Sequence, residues 1–464
     1  MATRSGGRLL TVAAAVAVLA AACGSRLGDE ELRAAAGPSG APAADGTAPT
    51  EGAEATIGSL PVPCGPGAQP PGPPPADTPG VSADAIEIAV ISDRAGQVKV
   101  PTASIEESMA AFVEWCNGLG GINGRALELT RIDSKLFSHL EATMEACDAG
   151  VFAIVGSGSV TDNQGAQEMV DCGLVEVPAY TATPAKALSD RLVAPLPNPA
   201  DRYNVGFARW IAQEHPDAID RAAILHPAID TASIQADRMR EAYEAEGFTF
   251  VVDRETGAIA ESYAAEALAM QRADVRWVTM VSATSEVVKL LRDMETQSFS
   301  PEVLDLGPQF YDAELAAEPA AEGALVQVST VPFEEAADSP ALATYLDAYR
   351  AAAGADAPEP TALGVTAFSA GLLFATAAQA LGDDLTRDGL LEQLHAIRAW
   401  DGGGLHAPSD PGGRAAPTCI AYLEVHDGGF RRVHPPEPAS FDCDPTYAVD
   451  LEGDVGGGAT EGGG

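Results

Sequence analysis

The chain has 464 residues, of which 27 are Lys or Arg and 67 are Asp or Glu, giving a formal net charge of −40. That length exceeds what one ordinary core organises, so two lobes are expected. So acidic a field repels nucleic acid and anionic membrane surfaces, which excludes both as partners of the folded part; its ordinary role is solubility.

The first element along the chain is an export signal. Arg4 and Arg8 make a basic start, Leu9 to Ala22 is apolar except for Thr11, and small residues precede Cys23. This is the length of a signal core rather than of a membrane span. Ala20-Ala21-Ala22-Cys23 resembles a bacterial lipobox, although Leu19 lies four residues before the cysteine, where that pattern places Leu three before. The resemblance implies a signal peptide over 1–22 and a diacylated Cys23 as the mature N-terminus; an ordinary secretory signal cleaved nearby is the alternative. Residues 23–80 are rich in Ala, Gly and Pro and read as a disordered tether, which as a coil spans roughly 40 Å.

Ile86 to Ile91 alternates as a strand. Ser104 to Cys116 comes next with helical period, Ile105, Met109, Phe112, Val113 and Cys116 sharing one face. It stops at Gly120-Gly121-Ile122-Asn123-Gly124-Arg125, whose glycines suit a left-handed C-cap and a tight turn. Leu127–Leu129 reads as a strand, Leu140–Cys147 as a helix, and Val151–Val155 as a strand running into Gly156-Ser157-Gly158-Ser159. Val175–Pro178 is a further strand, ending in Tyr180-Thr181-Ala182-Thr183-Pro184. Strands alternating with helices imply a parallel sheet, with ligands beyond the carboxyl ends of its strands.

Around Leu192–Pro199 the chain is expected to cross to a second lobe. Helices are read at Tyr203–Gln213, Ser233–Glu246, Ser262–Gln271 and Ser285–Thr296. Strands are read at Ala222–Leu225, Phe248–Val252, Arg276–Val281, Glu302–Leu306 and Leu325–Val328. Ala341–Ala352 and Thr361–Ala380 are helices returning to the first lobe, and Cys419–Val433 is a hairpin turning at Asp427-Gly428-Gly429. The tail over 446–464 is Gly-rich and acidic and reads as disordered; the division into lobe I over 81–196 and 329–410 and lobe II over 197–328 and 411–445 follows, for its last segment, from the family resemblance that the next residues carry.

The strand running into Ser92-Asp93 and Gly96, the Gly-Gly-Ile-Asn-Gly-Arg turn and the Phe152-Ala153-Ile154-Val155-Gly156 strand carry a resemblance. The segment is similar to the extracytoplasmic solute-binding proteins of the leucine/isoleucine/valine-binding type, which serve ABC importers. The resemblance implies an α/β fold of two doubly wound parallel-sheet lobes joined by a multi-strand hinge, a type I periplasmic-binding-protein-like architecture. It implies a small-molecule ligand, ABC permease subunits as partners, no cofactor, and a monomer held at the outer face of the cell membrane through its lipid anchor alone. A sensory ligand-binding module and, more remotely, an extracellular hydrolase are the alternatives.

Signals for catalysis are weak. Ala367-Phe368-Ser369-Ala370-Gly371 falls one residue short of a nucleophile elbow and lies inside an apolar helix pattern. The seven histidines show no zinc-hydrolase spacing, so no metal is expected. Gly156–Ser159 lacks the Lys-Ser/Thr of a phosphate loop. As a ligand cradle the same loop offers N–H groups and hydroxyls to an anion, before a helix opening near Asp162. In the resembled family this loop and the one after the next strand hold the ligand's carboxylate, which maps to Ser157, Ser159, Thr161, Thr181 and Thr183; turn and cap roles are the alternative, with Thr161 or Asp162 as an N-cap. The opposite wall offers His226, Asp230, Ser282, Tyr311 and Asp312. The expected ligand is an amino acid or a related amide or amine.

Without Cys23, six cysteines remain, an even set suited to three disulfides in an oxidising compartment. Crossovers running the same way put their helices on one face of a sheet, which pairs Cys147 with Cys172. Cys64 then clips the tether to Cys116, and Cys419–Cys443 closes the C-terminal hairpin. For the anchor, Cys23→Ala is expected to abolish labelling by a palmitate analogue and to release the protein from detergent, because stable anchoring takes more than one acyl chain. Equal labelling of wild type and Cys23→Ala would refute it.

Overall fold

The computed structural model describes residues 55–76, 78–95, 102–354 and 357–452. The signal segment, Cys23, Gly96 and the tail from 453 onward lie outside the described residues.

In the first lobe, β1 (Ala85–Ser92) is followed by α1 (Ala103–Gly118), β2 (Ala126–Asp133), α2 (His139–Ala149), β3 (Ala153–Val155), α3 (Ala166–Asp171) and β4 (Val175–Val177). The strands are parallel and stand in the order β2-β1-β3-β4, with β1 and β2 in register from Ala85↔Ala126 to Ser92↔Asp133. The second lobe holds β5 (Ala222–Pro227), α4 (Asp230–Ala245), β6 (Phe250–Thr256), α5 (Ala264–Arg272), β7 (Trp277–Met280), α6 (Thr284–Thr296), β8 (Val303–Leu306) and β9 (Leu325–Gln327). The chain returns through α7 (Pro340–Ala352), α8 (Ala362–Leu381) and α9 (Arg387–Ala396), then adds β10 (Tyr422–His426) and β11 (Gly429–His434). The second sheet runs β11-β10-β9-β8-β7-β5-β6, in which β10 pairs antiparallel with both β9 and β11 and the other pairs are parallel.

The alternation of β1 makes two apolar faces. Ile86, Ile88 and Val90 meet α1, α7, α8 and α9, while Ala89 and Ile91 meet α2 and α3. The helix α8 is apolar all round because it is buried all round, from Gly364 through Phe374. Since α2 and α3 share one face, Cys147 and Cys172 come together as a disulfide; the others join Cys64 to Cys116 and Cys419 to Cys443.

Three expectations need correcting. The stretch from 55 to 80 is not tether where it is described. Thr56–Ile57 pairs with Leu60–Pro61, Ile57 is fully buried against lobe I, and the Cys64–Cys116 bond fixes the chain to the end of α1. The tail does not begin at 446, because Ala448–Asp450 pairs with Arg202–Asn204. That pairing makes Arg202–Asn204 a strand rather than the start of a helix, which begins at Gly206.

Arg125, the last residue of the glycine-rich turn, is fully buried. Gly121 (φ 74°) and Gly124 (φ 85°) supply the left-handed conformations that turn the chain back on itself. The Arg125 guanidinium donates to the carbonyls of Ser82 (3.1 Å), Gly72 (2.8 Å) and Gly382 (3.4 Å), and to Asp383 Oδ1 (2.9 Å). It thereby ties the N-terminal segment to the end of α8.

The lobes are joined by three crossings that hydrogen-bond to one another. Val331 N–H donates to Leu405 O, Ala407 N–H to Ser329 O, and Ser409 Oγ to Pro195 O (2.5 Å). His406, in the third crossing, is anchored to α8. Its Nδ1 lies 2.8 Å from Ala407 O and its Nε2 2.9 Å from Ser369 Oγ, which in turn accepts from Trp400 Nε1 (2.9 Å). This geometry has a neutral imidazole donating from Nδ1, and burial pushes its pKa down to about 4. Ser369 is therefore a packed hydrogen-bonding residue of the hinge.

Replacing Arg125 with Met leaves three carbonyls without their donor and is expected to cost on the order of 3 kcal/mol in urea unfolding. Arg125→Lys should recover only part of this, because one ammonium cannot span partners that diverge as a fork. A Met variant as stable as wild type would contradict it.

Candidate functional site

The crossovers of lobe I diverge after β1: α1 leads to β2 on one side, and the chain then passes over to β3 on the other. A crevice therefore lies between the carboxyl ends of β1 and β3, where open α/β sheets place ligands. Asp93 fills it. Its Oδ1 accepts from Ser134 Oγ (2.6 Å), Leu136 N–H (3.0 Å) and Ser159 Oγ (3.1 Å), and its Oδ2 from Val160 N–H (2.7 Å). The residue is 4% exposed.

A second carboxylate binds the next loop in the same manner. Asp162 accepts from Ala182 N–H (2.7 Å) and from Thr183 Oγ1 (2.5 Å). It caps no helix, since α3 opens only at Ala166 after Gly165. Behind it, Lys186 and Glu176 form a buried ion pair at 2.5 Å.

The predicted residues of lobe I divide by role. Ser157 Oγ accepts from Ile91 N–H (2.9 Å), and Thr161 Oγ1 donates to Leu136 O (2.6 Å). Ser159 and Thr183 donate to the internal carboxylates Asp93 and Asp162. These four hydroxyls hold loops in place. Thr181 is 5% exposed, and among the described residues nothing hydrogen-bonds its hydroxyl. The same holds for the phenol of Tyr180, a residue that no sequence motif singles out. Its ring lies over Gly158, where any Cβ would collide with it. Burial holds its pKa well above the usual tyrosine value, and Asp93 and Asp162 push it further.

In lobe II the corresponding crevice lies between β5 and β7, flanked by the starts of α4 and α6. Neither helix has a capping side chain, the N-cap residues being Ile229 and Ala283. Thr231 and Thr284, in their first turns, are each 8% exposed, with hydroxyls that hydrogen-bond to none of the described residues. Ser282 is half-buried beside them, and Asp230 is exposed at the first position of α4. His226 packs under α4, its Nδ1 3.3 Å from Ser233 Oγ.

Two candidates are otherwise engaged. The Tyr311 hydroxyl donates to Glu334 and accepts from Phe333 N–H (2.7 Å), with its ring stacked on Phe333. Asp312 caps the short helix Ala313–Ala316 by accepting from Glu314 N–H (2.7 Å). Both hold the chain that follows β8 through these bonds. Ala362, at the start of α8, packs against the cluster holding Phe310 and Tyr311, so this strand end of lobe II abuts lobe I.

A sequence profile described as periplasmic binding protein matches residues 85–429. The chain belongs to the periplasmic binding protein family. Among solved structures, this binding protein is similar to a leucine-binding protein from Thermotoga maritima, at 16% identity over 78% of this chain and 99% of that one (TM-score 0.64). It is also similar to a fatty acid ABC transporter substrate-binding protein from Thermomonospora curvata, at 18% identity over 81% and 97% of the two chains (TM-score 0.66). A third is a solute-binding protein from R. palustris in complex with 4-hydroxybenzoate, at 14% identity over 75% and 96% (TM-score 0.62). At these identities the likeness carries the fold, the type I arrangement of two parallel-sheet lobes. No curated protein matches this periplasmic binding protein by sequence.

Burial raises the pKa of Asp162 to about 7, against the opposing hydrogen bonds from Thr183 and Ala182. The folded chain then keeps a proton that the unfolded chain releases near pH 3.8. This contribution is complete below that pH and is lost as the pH rises through 7, on the order of 4 kcal/mol in all. His139 has the opposite sign. Burial, with Lys186 adding, lowers it to about 3, so its contribution is lost as the pH falls from 6.5 towards 3. Between about pH 5 and about pH 8 the urea midpoint should fall less for Asp162→Asn than for wild type. Equal slopes would refute the assignment.

Proposed function

We propose that this periplasmic binding protein is the lipid-anchored solute receptor of an ABC importer. It captures a small polar ligand, an amino acid or a related amide or amine, between lobes that close about the three-crossing hinge. One observation carries the reading. Hydroxyls without partners among the described residues stand at the strand ends of both lobes, Tyr180 and Thr181 in one and Thr231 and Thr284 in the other, on residues that are otherwise largely covered. Polar groups placed this way gain full hydrogen bonding when a polar solute enters, which ties affinity to chemical identity.

The Ser369–His406 pair supports binding over catalysis. It is buried in the hinge, and the imidazole's other nitrogen faces the carbonyl of Ala407 in place of an acid. The similar solved structures are a leucine-binding protein, a fatty acid transporter's substrate-binding protein and a complex with 4-hydroxybenzoate, so the scaffold does not dictate the solute. In this reading the ligand contacts are Thr181, Tyr180, Thr231, Thr284, Ser282 and Asp230, with Ser157, Ser159, Thr161 and Thr183 positioning the loops.

Native mass spectrometry of protein purified without denaturation is expected to show a co-purified small molecule. Calorimetry with that molecule should lose about fivefold in affinity for each of Tyr180→Phe and Thr181→Val, the value of one neutral hydrogen bond. No bound solute, and no thermal shift across a panel of amino acids, amides and amines, would sink the reading.

A further inference from the structure

The four donors on Asp93 have the makeup of an anion receptor. Two backbone N–H groups and two hydroxyls, drawn from the loops after β2 and β3, converge at the crevice where a ligand's anionic group would enter. The receptor is already full, and what fills it is a side chain of the same lobe. A second carboxylate arriving there finds no donor left among these four and meets a like charge at close range. Asp162 does the same to the donors of the β4 loop.

The capacity that remains is for accepting hydrogen bonds. Oδ1 of Asp93 takes three donors but Oδ2 takes only one, leaving lone-pair capacity. We propose that Asp93 determines the ligand class: it occupies the anion nest of lobe I, so the site rejects a group that leads with a carboxylate and receives one that donates hydrogen bonds, such as an ammonium, amidinium, amide N–H or hydroxyl. This rests on the solute-capture reading and names the end of the solute that faces lobe I. An amino acid would accordingly enter with its ammonium, not its carboxylate, towards Ser159.

The test is made on the full chain with small probes. Asp93→Ala empties the nest, and formate or acetate is expected to raise the melting temperature of this variant saturably, with no such response from wild type and none to chloride at equal ionic strength. In wild type, propylamine should stabilise the protein at concentrations where propionate, of matched size, does not. Should Asp93→Ala fail to fold, Asp93→Asn keeps the shape without the charge, and its preference for propylamine over propionate should fall at least tenfold. A folded Asp93→Ala that ignores formate, or a wild type stabilised by propionate as well as by propylamine, overturns the proposal. The two readings fail separately: formate rescue of Asp93→Ala beside a wild type that retains no solute would uphold the filled nest and count against solute capture alone.

Discussion

Asp93 has to be buried at the end of β1, and a buried carboxylate persists only where donors surround it. Its donors sit on two other strand ends, so satisfying one side chain fixes the loops after β2 and β3 relative to β1. Neighbouring acids extend the pattern. Asp133 accepts from the N–H groups of Arg94, Ala95 and Lys135, and Asp162 holds the loop after β4. Lobe I presents the carboxyl edge of its sheet as loops knotted on carboxylates, with backbone N–H groups and hydroxyls in place of cations as their partners.

The elements are legible in the sequence because their periodicities are clean. β1 alternates, α1 keeps one apolar face, and the glycine turn ends it. The direction of the crossovers then places α2 and α3 together, enough to pair Cys147 with Cys172. Composition misleads at the two ends of the fold. Averaged over 23–80, the Ala, Gly and Pro content hides Ile57 and Cys64, and it is these single residues that hold the segment down. Arg387–Ala396 does not stand out as a helix because its apolar positions, such as Leu390 and Leu394, are few.

For the candidate site, the strand-end loops are legible in the sequence and their hydrogen-bond partners much less so. Ser159 and Thr183 do lie on the strand-end loops, but their partners are Asp93 and Asp162, 66 and 21 residues away in sequence. No local pattern announces such a pairing, and a lone Asp after a strand looks like a turn residue. Tyr311 shows the same blindness: an aromatic at a strand end suggests a stacking platform until Phe333 and Glu334 arrive from a later segment to occupy it. Lobe II buries an acid of its own, Asp305, held by Gln327 and Tyr422 and raised to about 7 by burial.

The clip between Cys64 and Cys116 also settles how the domain bears load. A pull on the chain upstream first strains the Thr56–Pro61 hairpin and its bond from Ser59 N–H to Gly403 O, both of which can shear and re-form. Beyond Cys64 the force passes through a covalent bond into the end of α1, while Arg125 braces the next stretch against α8. Tension is therefore handed to the end of α1 before the chain reaches β1. The covalent clip places the point of attachment on a helix end of lobe I, away from the hairpin upstream of it.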